Sequence, residues 1–92
     1  LERELAIVRR RAPEVPESLA EQVVGAVHAM RADTELLKPP GVAETLDWAR
    51  ALHTLGTREL DTESAARTLG VALKYREDAQ RISAALDRIL TP

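Results

Sequence analysis

KPPGVAETLDWARALHTLG, residues 38–56, decides how the chain folds. Pro39, Pro40 and Gly41 stop any preceding helix, and from Val42 onward nothing opposes a helix until Gly56 offers a C-terminal stop. At about 100° per residue, Val42, Leu46, Ala49, Leu52 and His53 share a face, which Trp48 and Leu55 widen. Asp47, Arg50 and Thr54 leave only a narrow polar strip. A helix apolar on most sides is enclosed by others, so this one is expected at the centre of the domain. Its first-turn N–H groups lack intrahelical partners and carry the positive end of the helix dipole. An anion binds there readily unless Glu44, in the first turn, satisfies that end from within.

On the N-terminal side, residues 1–11 place Leu1, Leu5 and Val8 on one face, with Glu2 and Glu4 early and Arg9, Arg10 and Arg11 late, as the dipole favours. The Arg triplet reads as a solvated helix end, or more sharply as a contact with a neighbouring domain. Pro13 and Pro16 bracket an extended link, and Pro16 with Glu17 opens a second helix. Its core face is Leu19, Val23, Ala26, Val27 and Met30, with His28 opposite. From Arg31 the rhythm lapses. Ala32, Asp33 and Thr34 turn the chain, Leu36 and Leu37 reach for the core, and Arg31 is expected to lie away from the Lys-Pro-Pro-Gly turn.

Beyond Gly56, Leu60 faces inward and Asp61 or Thr62 supplies the N-cap oxygen of a helix with a stripe of Ala65, Ala66, Leu69, Ala72 and Leu73. Gly70 within it costs about 1 kcal/mol against Ala, so it either permits close helix contact or marks a weak point. A final helix from about Glu77 to Leu90 puts Ala79, Ile82, Leu86, Ile89 and Leu90 on one side, with Arg76, Glu77 and Asp78 at the join. The expected fold is all-α, a compact bundle of about five helices.

Composition sets limits. The 92 residues make one domain with one modest core; 45% are hydrophobic and 30% charged, a globular balance. With no Phe, one Trp and one Tyr the core is aliphatic. A formal charge of −2 gives no electrostatic footprint for nucleic acid, although 11 of the 13 basic residues are Arg. The absence of Cys excludes disulfides and thiolate metal sites and suits a reducing cytoplasm. No apolar run approaches the roughly 20 residues of a membrane span, and no signal peptide is evident. The sequence begins without Met inside a helical pattern, which reads as a segment of a longer protein.

No phosphate-cradling GxxxxGK[ST] and no HExxH occur, His28 and His53 read as structural or surface groups, and no pair of acids stands out. No catalytic or metal-binding residue is therefore expected. The order of signals nevertheless resembles the C-terminal helical lid of AAA+ ATPases of the MoxR type, in particular the CoxD-like branch. The likeness spans almost the whole chain and rests on Val15-Pro16-Glu17, on LLKPPGVAETLDWARAL, on Leu60-Asp61-Thr62-Glu63 and on TLGVALKYRED, of which the middle stretch is the most specific.

The resemblance implies a lid (residues 1–92) that senses nucleotide and closes over ATP and Mg²⁺ held mainly by an absent core domain, which carries hydrolysis. It implies a cytoplasmic, commonly hexameric ring in which the lid touches its own core and neighbouring subunits. A chaperone-like or metal-cofactor-insertion task is implied too, with a von Willebrand factor A domain protein as partner. Many such lids start the central helix with Gly-Ala-Ser-Pro-Arg, whose Arg reaches the phosphates; here Thr45 stands in that place and offers one neutral hydroxyl. Lys38 is the substitute, and Arg76 is retained within Ala72-Leu73-Lys74-Tyr75-Arg76. The implied nucleotide-facing set is Lys38, Gly41, Glu44, Thr45 and Arg76. Two other classes compete: a helical protein-interaction adaptor with no nucleotide role, and a helix-turn-helix DNA reader using Arg50 and Arg58, which the net charge disfavours.

Overall fold

Proline, glycine and cap residues divide the chain much as their chemistry dictates. The computed structural model describes residues 2–91, so the expected inward Leu1 lies outside the described residues. Among these, six helices and no strands follow in order: α1 (Glu2–Arg11), α2 (Glu17–Arg31), α3 (Val42–Thr54), α4 (Thr62–Ala72), α5 (Arg76–Ala84) and α6 (Leu86–Leu90). Pro16 is the N-cap of α2 rather than its first residue, and its carbonyl accepts the first helical bond from Ala20 N–H at 2.9 Å. Asp61 caps α4 by accepting from Ser64 N–H at 2.8 Å, while Ser64 Oγ accepts from Asp61 N–H at 3.1 Å.

The α3 helix is the hub, packed on α1, α2 and above all α4; α2 also meets α1 and α6, and α4 meets α5 and α6. Trp48, Ala49 and Leu52 are wholly enclosed, and the Trp48 indole N–H donates to Thr68 Oγ1 of α4 at 2.7 Å. Gly56 ends α3 with φ 81°, the left-handed conformation that only glycine adopts without cost. Its N–H donates to His53 O at 2.9 Å, and Thr57 N–H to Leu52 O at 3.0 Å, the paired bonds of a Schellman ending.

Several expectations need correcting. The single final helix is two, because Ala85 leaves helical geometry (φ −114°, ψ 14°) and bonds to Ile82 O rather than continuing the ladder. No proline or glycine causes the break. It lets α5 lie on α4 while α6 turns Leu86 and Ile89 onto α2 and α4. Val42, Leu55 and Leu37 are exposed, Leu55 because the Schellman turn reverses the chain beneath it. Ala66 is also exposed, its place in the α4 stripe taken by Thr68. No helix is long and apolar enough to cross a membrane among the described residues.

Candidate functional site

The segment from Leu37 to Gly41 runs over the surface yet is fixed at three points. The buried Asp78 carboxylate of α5 accepts from Leu37 N–H at 2.8 Å and from Lys38 N–H at 3.0 Å. Arg31, closing α2, donates Nε–H to the Pro40 carbonyl at 2.7 Å. Gly41 N–H donates to Glu44 Oε1 at 2.8 Å, so Glu44 engages the N-cap amide of α3 from within the helix. That bond is the first cause of the lowered Glu44 pKa, with nearby Lys38 and Arg31 adding to it. Arg31 is thus part of the turn's support rather than remote from it, because the end of α2 passes directly under the loop.

Beneath the turn lies a polar knot tied on Glu4. This α1 carboxylate, 6% exposed, accepts two bonds from Arg31, at 2.6 and 2.8 Å, and one from Thr45 Oγ1 at 2.7 Å. His28 Nε2 is 3.1 Å away. The Arg31 guanidinium, followed by the Thr45 and His28 contacts, outweighs the cost of burial and lowers the Glu4 pKa to about 2. Every described side-chain polar atom that is buried has a partner.

A cleft of about 270 Å³ opens beside the turn, between Lys38, Pro39, Pro40 and Glu44 on one side and Gly70, Val71, Ala72 and Lys74 on the other. Lys38 and Lys74 are exposed, and among the described residues neither has a carboxylate within ion-pairing distance. The cleft therefore carries more positive than negative side-chain charge and could hold a small anion.

Of the sequence-predicted residues, Lys38 and Glu44 meet in this cleft. Gly41 is spent on the Glu44 bond, and Arg76 opens α5 just before Asp78 without lining the cleft. Thr45 is corrected: its side chain is wholly buried and its hydroxyl proton points to Glu4, with Gly41 O at 3.1 Å, so it does not face solvent or a phosphate. Sequence reasoning missed Glu4, Asp78 and Lys74. Among the described residues no group of three His, Cys, Asp or Glu side chains converges on a metal position. Comparison with family models, characterised proteins and solved structures finds no match to this chain.

Proposed function

We propose that the chain is the nucleotide-sensing lid of a MoxR-type AAA+ ATPase, closing over ATP and Mg²⁺ bound to a core domain. In this reading it passes the resulting motion to a chaperone-like or metal-cofactor-insertion task. The reading also takes in a cytoplasmic hexamer and a von Willebrand factor A domain partner. Support comes from the sequence resemblance, from the enclosed α3 behind its Lys-Pro-Pro-Gly start, and chiefly from the pinned turn. A surface loop whose backbone is held by Asp78, Arg31 and Glu44 keeps the base of the exposed Lys38 side chain in one place, as a sensing residue needs. With Thr45 enclosed, contact with phosphate falls in this reading to Lys38, with Arg76 the next candidate. In this reading the core domain holds Mg²⁺.

The test uses the full-length protein that carries this segment. A Walker A lysine motif is expected in the coding sequence upstream of Leu1. In a nucleotide titration and turnover assay, Lys38→Ala weakens ATP binding about fivefold or more, the loss of one charged phosphate contact. Arg58→Ala, on the link before α4, leaves it unchanged. Equal behaviour of the two variants, or no Walker A motif upstream, overturns the reading. The adaptor alternative draws on the apolar groove of about 740 Å³ between α2 and α6, lined by Gly25, Ala29, Leu60 and Leu90 among others. It predicts no dependence on nucleotide at all.

A further inference from the structure

Lys74 is not used by the lid reading, nor is Gly70, which lines the same side of the cleft. Gly70 lies within α4, where glycine costs about 1 kcal/mol against alanine. Nothing inside the domain explains it: an added Cβ there would meet no atom within 4 Å, so no neighbouring helix needs the space. The opposite wall is unusual in another way. Asp78 and Arg31, one buried and one partly buried, hold the backbone of Leu37, Lys38 and Pro40, fixing a loop that a mere linker would leave free. The negative C-terminal end of α4 accounts for a basic residue at position 74. It accounts for neither the glycine nor the fixed wall.

We propose that Lys38 and Lys74 form a two-sided clamp for a polyphosphate chain, the anion lying over Gly70 where no side chain obstructs its approach to the helix. Each ammonium offers charge-assisted donors to phosphate oxygens. Glu44 faces the same cleft, but the Gly41 amide already engages its carboxylate and the two lysines outweigh it. Fixing the Lys38 backbone beforehand lowers the ordering cost of binding. The choice of ATP as a probe comes from the lid reading, and the arms of the experiment separate the two.

Inorganic tripolyphosphate and ATP are titrated calorimetrically, at low salt, into the 92-residue chain. Saturable tripolyphosphate binding is expected, weakened about fivefold or more by Lys38→Ala and by Lys74→Ala, and unchanged by Arg88→Ala on α6. Gly70→Leu, whose Cβ meets no atom within 4 Å, adds a bulky group at the cleft and is expected to abolish binding while circular dichroism stays native. Absence of saturable binding, equal loss in the Arg88 variant, or retained binding in the Gly70 variant overturns the clamp. Tighter binding of ATP than of tripolyphosphate supports both the clamp and the nucleotide reading. Equal binding of the two supports the clamp and counts against a site that reads the nucleoside.

Discussion

Glu4 shows how one side chain can carry a disproportionate share of an architecture. Its folded pKa lies near 2 against an ordinary value of 4.5, so the charged form is stabilised on folding. A depressed carboxylate adds stability that is complete above its unfolded pKa and disappears as pH falls through the folded one. The contribution is on the order of 3 kcal/mol and is lost between about pH 4.5 and pH 2. Glu4→Gln is therefore expected to destabilise the domain by about 2 kcal/mol at neutral pH and to flatten its acid-unfolding curve. An acid profile identical to that of the parent, followed by circular dichroism, would contradict this. None of the four buried polar residues was legible as such, yet each has a signal in hindsight. Glu4, Thr45, Thr68 and Asp78 stand four positions before Val8, Ala49, Ala72 and Ile82, all buried. A polar residue in register with an apolar helical stripe is carried inward whatever its own preference.

The helix ends at Gly56 and Asp61 were readable because they depend on local chemistry. The stop at Gly56 and the cap at Asp61 follow from backbone and side-chain geometry that those residues favour by themselves. The break at Ala85 was not legible, since tertiary packing imposes it and no local residue demands it. The same contrast predicts opposite outcomes for three glycines. Gly56→Ala forces a left-handed backbone on a residue with a Cβ and is expected to cost about 1–2 kcal/mol in urea unfolding. Gly25→Ala and Gly70→Ala, at helical positions where a Cβ meets nothing, are expected to stabilise by up to about 1 kcal/mol each. A destabilised Gly70 variant would place an unseen constraint on α4.

The domain measures 31 × 25 × 23 Å and depends on a core with a single large aromatic group at its centre. Its all-α class and enclosed central helix were open to sequence reasoning, because periodicity and punctuation agree over nearly the whole chain. In the sequence the proposed nucleotide role rests on resemblance alone. Trp48→Ala is expected to cost about 3–5 kcal/mol, a large fraction of the 5–15 kcal/mol typical of a whole domain, and to leave the chain barely folded at 25 °C. A loss below about 1 kcal/mol would mean that the α3–α4 contact closes without it. Trp48 is also the only indole in the sequence, wholly shielded and hydrogen-bonded to a neutral hydroxyl. The molecule consequently contains its own optical probe: emission at short wavelength while the helices hold together, shifting to the red when water reaches the ring, with no label attached.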